Sequence, residues 1–122
     1  MGKKLTIEQL IAQREKLKER KQKKFTLEVK SLDGEIIVKP PTNALLMEAQ
    51  SMGQDDASKA DIYLLYKCVV EPDLKNQKLQ DAYGCVEPTD IVDKIFMPGE
   101  VSSIASKIME LGGYGEGVQL KN

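Results

Sequence analysis

Residues 25–41 read F-T-L-E-V-K-S-L-D-G-E-I-I-V-K-P-P, and the change of hydrophobic period inside this stretch decides the fold. Phe25, Leu27 and Val29 alternate with Thr26, Glu28 and Lys30, the pattern of a strand with one face buried. Asp33-Gly34 is a turn pair that supplies the positive φ angles of tight hairpins. Ile36, Ile37 and Val38 make the returning strand, and Pro40-Pro41 ends it because proline has no N–H for a ladder. A lone hairpin is marginal in water, so this one has to pack on helices.

Both flanks supply them. Upstream, Thr6 opens a helix with Gln9 three residues later in a capping-box pattern. Ile7, Leu10, Ile11 and Leu17 recur along it at helical spacing, interrupted by Arg14, and the helix is expected to run to about Lys21–Lys24. Its apolar face is narrow, which suits a domain edge or docking on another chain. Downstream, Thr42 or Asn43 caps a short helix through Ala44–Gln50, and Met52–Asp56 reads as a loop. Ser58, with Asp61 three residues on, opens the most apolar segment, Ile62–Val70 (I-Y-L-L-Y-K-C-V-V). Length and caps favour a buried helix there; the β-branched end and two tyrosines leave a buried strand open.

Glu71-Pro72 stops that segment, because the residue before proline is pushed out of helical geometry. Leu74, Leu79, Ala82 and Tyr83 suggest a short helix ended by Gly84; Pro88-Thr89 opens another, with Ile91, Val92, Ile95 and Phe96 inward. After Pro98-Gly99-Glu100, the residues Val101, Ile104, Ala105, Ile108 and Leu111 give a clean amphipathic stripe that Gly112-Gly113 ends. The expected class is α+β, predominantly α-helical: a small helical domain with one N-terminal β-hairpin, preceded by an amphipathic helix. Three parts follow: a basic helix over 1–24, the helical domain over 25–113 with its hairpin at about 25–39, and a flexible C-terminal tail over 114–122.

Composition narrows the function. Of 122 residues, 30% are charged and the balance is near neutral, 18 basic against 19 acidic. That balance hides a split. Residues 1–24 hold 9 Lys and Arg against 3 Glu, a net +6, whereas 25–122 hold 9 basic and 16 acidic residues, a net −7. A basic head on an acidic body suits contact with an acidic protein surface or with nucleic acid. The head has no interleaved aromatics for stacking on bases, which argues against nucleic acid; a small nucleic-acid-binding regulator using this helix is the alternative reading. No apolar run approaches the roughly 20 residues of a membrane span. The first residues are charged and then amphipathic, unlike a secretory signal, so the cytoplasm is expected.

Chemistry finds few candidates. The chain has no His, which removes the commonest general base and metal ligand. Cys68 and Cys85 sit among apolar or turn residues and form neither a CxxC pair nor a cluster with other ligands, so free structural thiols are expected. Asp55-Asp56 falls in a polar loop, and Asp90 and Asp93 fall in a first helical turn, where carboxylates meet the positive dipole end. Gly113-Tyr114-Gly115-Glu116-Gly117 follows a helix instead of opening one, so it is a cap and tail and not a phosphate loop. No catalytic, cofactor-binding or metal residue is assigned, and the chain is read as a non-enzyme. The surface candidates for binding a protein are Ile7, Leu10, Ile11 and Leu17.

One ordered set of segments adds a family. L-E-V-K-S-L-D-G-E-I and Pro40-Pro41-Thr42 are followed by I-Y-L-L-Y-K-C-V-V-E-P-D-L and K-L-Q-D-A-Y. P-T-D-I-V-D-K-I-F, P-G-E-V-S-S-I-A and a closing L-G-G come next. Over about residues 25–113 this order resembles the XkdN-like tail assembly chaperones of tailed bacteriophages. The resemblance implies a chaperone in the host bacterial cytoplasm, encoded by a phage or prophage. It would bind the tape measure protein, help recruit tail tube subunits during virion morphogenesis, and be absent from the mature virion. Self-association into a homo-oligomer would raise avidity along an extended client. The resemblance also implies a programmed frameshift in some members, for which the codons of Lys121-Asn122 could supply a slippery run.

Overall fold

The hairpin forms where the period of two begins. The computed structural model of the chain describes residues 3–115 and 118. Strand β1 (Phe25–Val29) pairs antiparallel with β2 (Gly34–Val38), with Phe25 opposite Val38, Leu27 opposite Ile36 and Val29 opposite Gly34. Phe25, Leu27, Val29, Ile36 and Val38 therefore share one face and join the core, while Thr26, Glu28 and Glu35 face water. The connection is longer than a two-residue turn. Lys30–Leu32 form a 3-10 turn, and Asp33 alone takes the left-handed conformation (φ 51°), leaving Gly34 as the first residue of β2.

A third strand corrects the single-hairpin expectation. Helix α4 (Ser58–Cys68) ends at Cys68, and Val69–Glu71 continue as β3, antiparallel to β2 in the order β1-β2-β3. Ile37 lies opposite Glu71 and Val38 opposite Val69, so the register shifts by one residue between them. The two readings of Ile62–Val70 thus divide the segment: its first part is helix, and its β-branched end is strand. The α+β, predominantly helical class stands, with a three-stranded sheet in place of the hairpin.

The N-terminal helix is also two helices, α1 (Ile7–Ala12) and α2 (Arg14–Arg20), broken at Gln13, whose φ of −98° and ψ of 5° leave the helical range. At the break the Arg14 guanidinium donates to the carbonyl of Ile11 at 2.8 Å, so the side chain satisfies an oxygen that a continuous helix would satisfy from its own backbone.

Helix α3 (Asn43–Met52) starts at Thr42, whose hydroxyl accepts from the Leu45 N–H. Gly53 then lets α3 and α4 close together: a Cβ there would meet the Ala60 Cβ at 2.8 Å. Ser58 and Asp61 do not form the expected cap. Asp56 accepts from the Ser58 N–H and hydroxyl instead, ahead of the first turn. Helices α5 (Gln77–Ala82), α6 (Asp90–Ile95) and α7 (Pro98–Leu111) follow.

α4 is the central element, packed against α3, α6 and α7. Leu65, Cys68, Leu74, Ile91, Val92, Ile108 and Val38 are almost wholly buried around it, so one aliphatic core joins helices and sheet. Of the expected tail over 114–122, only Tyr114, Gly115 and Val118 lie within the described residues; Lys121-Asn122, on which the frameshift expectation rests, lie outside them.

Candidate protein-binding surface

Local chemistry sets the N-terminal surface. Thr6 Oγ1 accepts from the Gln9 N–H at 3.2 Å, and Gln9 Oε1 accepts from the Thr6 N–H at 3.0 Å, completing the capping box that the sequence announces. Beyond this cap, α1 and α2 bury no residue at all. Ile7 is 72% exposed, Ile11 55% and Leu10 45%, and they stand on one face of α1 at positions i, i+3 and i+4.

Leu17 is different. It lies on α2, beyond the break at Gln13, and is half-buried. Ile7, Leu10 and Ile11 thus lie together on α1, and Leu17 lies on the next helix. Leu5, 72% exposed, is a further apolar residue beside this stripe that the helical spacing missed. Its signal was present: it precedes the cap and stands five residues before Leu10, the spacing of a hydrophobic staple.

The remaining candidates settle into structural roles. Cys68 is buried and free, and burial pushes its thiol up to about 11, against the pull of Lys39 and Lys75. A thiol held protonated in this way is a poor nucleophile at neutral pH. Asp55 pairs with Lys59 at 3.2 Å, and the hydrogen bond from that ammonium holds its carboxyl below the usual range. Asp90 Oδ2 accepts from the N–H groups of Val86 and Glu87, both at 3.0 Å, fixing the entry to α6. Among the described residues, no three His, Cys, Asp or Glu side chains are grouped to hold a metal ion. No described helix is long and apolar enough to cross a membrane.

A small mixed domain with an exposed amphipathic front, with Asp55, Asp56 and Asp90 engaged in local structure and its Cys68 thiol buried, fits the class of a protein-interaction module. The chain belongs to the family of phage XkdN-like tail assembly chaperone proteins, whose model matches residues 3–121. That match takes in α1 and α2, so the family extends over the front helices and beyond the stretch 25–113 on which the resemblance was read. Among solved structures, the chain is similar to the crystal structure of the protein YqbN, at 16% identity and a TM-score of 0.60. The likeness covers 77% of this chain and 87% of that one, and it shows a shared fold. No curated protein matches the chain.

Proposed function

We propose that this tail assembly chaperone binds the tape measure protein through Ile7, Leu10, Ile11 and Leu17, and helps recruit tail tube subunits to it in the host cytoplasm. The observation that carries the reading is the exposure of Ile7, Leu10 and Ile11 on helices that contribute nothing to the core. A helical client with an apolar stripe is matched by a short amphipathic helix, with the surrounding lysines and arginines setting orientation and partner choice. The finished virion has no place for the chaperone, because the apolar stripe it covers is buried once the tail is built.

Co-expression with the tape measure protein tests this directly. Replacing Ile7, Leu10 and Ile11 together by Ser should abolish co-purification and leave the client insoluble. Exposed positions change stability by at most about 0.5 kcal/mol each and α1 buries no residue, so the melting temperature should move by no more than about 6 °C. Full retention of the client by the triple variant would refute the assignment.

A further inference from the structure

We propose that the depression between the end of α2, the exit of β2 and the C-terminal half of α4 binds an acidic segment of a partner protein. The hollow measures about 470 Å³, and Lys21, Lys39, Lys67 and Lys75 all line it. Three of these belong to the body, residues 25–122, which carries a net −7. Against that background, a concentration of three ammonium groups in one hollow is a local inversion of the field. Glu48 is the single carboxylate on its wall. Neither of the two ion pairs among the described residues involves a lysine of the hollow.

These lysines are also positioned. Lys67 Nζ sits 5.7 Å from the centre of the Tyr63 ring, and Lys75 Nζ sits 5.4 Å from that of Tyr66. Cation–π contact holds each ammonium over an aromatic face and leaves its protons free to donate. Lys67 has an ordinary reason for its place, since it stands in the last turn of α4, where the helix dipole favours a cation. Lys39 and Lys75 have no such reason; they come from a strand exit and a loop. Both bear electrostatically on the Cys68 thiol, so their charges converge on the same end of α4.

The occupant is a short acidic peptide and not a nucleic acid. Pro40 and Leu45 give the hollow an apolar floor that suits side-chain methylenes. It is an open, compact hollow, and the basic head that borders it through Lys21 and Gln22 carries no aromatic side chain for stacking on bases. A few carboxylates on one flexible segment fill it. The inference goes beyond the front-helix reading, because three of the four lysines remain when α1 and α2 are absent.

Binding of a fluorescently labelled oligoglutamate peptide, followed by anisotropy, tests it. The intact chain should bind the peptide, more weakly as salt is raised. Lys39→Glu/Lys75→Glu should weaken binding by about tenfold, and the milder Lys39→Gln/Lys75→Gln by about threefold. Lys59→Glu/Lys107→Glu makes the same change in net charge elsewhere and should leave binding intact. Removing residues 1–20 should also leave it intact, which separates this site from the front helices. The proposal is overturned if the control pair weakens binding as much as the groove pair, or if the truncation abolishes it. Tighter binding of a single-stranded oligothymidylate, lost with Lys39 and Lys75, would overturn it in favour of nucleic acid.

Discussion

Replacing Gln80 by Leu should unfasten the chain between β3 and α6. Gln80 is the one polar side chain buried among the described residues, at 8% exposure. Its Nε2 donates to the carbonyls of Leu74 and Pro88, both at 2.8 Å, so a single amide closes the loop on each side of α5. Leucine fills a similar volume but donates nothing. The Leu74 carbonyl, left without a partner, costs about 1–3 kcal/mol; the Pro88 carbonyl keeps the Ile91 N–H at 3.4 Å and loses only one hydrogen bond, about 0.5–1.5 kcal/mol, while the added apolar burial returns about 1–2 kcal/mol. At mid-range the net loss is about 1.5 kcal/mol, a noticeable share of the roughly 5–15 kcal/mol that holds a domain together. At roughly 4 °C per kcal/mol for a chain of this size, the melting temperature should fall by about 6 °C. Calorimetry reads the shift, and hydrogen exchange at Leu79 and Cys85 shows whether the loop opens before the core. Gln80→Glu sharpens the test. Above its pKa the carboxylate faces two carbonyl oxygens with no proton, so its folded pKa is raised. Its stability should then recover as pH falls through that value, when one O–H becomes available. A Gln80→Leu variant melting at or above the parent would refute the reasoning, because the Leu74 carbonyl would then have found water instead.

Three further outcomes follow from single contacts. Glu28 and Glu35 are directly opposed on the exposed face of the sheet, so Glu35→Lys should stabilise by about 0.2–1 kcal/mol, with the gain reduced by salt in denaturant titrations. Glu100 accepts hydrogen bonds from the Ser31 hydroxyl and the Met97 N–H, which hold its carboxyl below the ordinary glutamate value of 4.5. The tie is present above that value and is lost as pH falls through the depressed pKa, so Glu100→Gln should flatten the acid limb of stability against pH. Thiol labelling at pH 8 should modify half-buried Cys85 first and reach Cys68 only on unfolding, since a thiol with a pKa of about 11 is roughly a thousandth ionised there; equal labelling rates in the native chain would contradict the burial.

The sequence carried the helices and both hairpin strands because each has a periodic apolar face with a local cap or stop. Thr6 with Gln9 and Thr42 with Leu45 act where the sequence places them. The third strand was harder to read. Val69-Val70-Glu71 is too short to show alternation, and its extended form depends on β2 being there to pair with. The break at Gln13 escaped for a similar reason: Arg14 interrupts the apolar stripe visibly, but nothing in the spacing says that its guanidinium will take the Ile11 carbonyl. The exposure of Ile7, Leu10 and Ile11 was legible because they are neighbours on one short helix, whereas Leu17 falls on the next. The lysine hollow was not, since Lys39, Lys67 and Lys75 are far apart in sequence and meet only when α4 packs beside the sheet. Surfaces built within one helix can be read from spacing; surfaces built between elements wait for the fold.

That division bears on how such a chaperone can release what it binds. Helices of six and seven residues that bury nothing have little to hold them in water beyond a capping box and a side-chain bond at the break. On the proposed reading, a partner laid over Ile7, Leu10 and Ile11 would supply the packing these helices lack, and the cost of ordering them would lower the affinity. Contact of this kind is specific yet modest per unit area, which is what the proposed client binding calls for. The core around α4 takes no part in that contact. On the proposed reading, changes at the front retune client affinity without loosening the domain, whereas truncating Leu65 or Ile108 costs about 2–5 kcal/mol of stability.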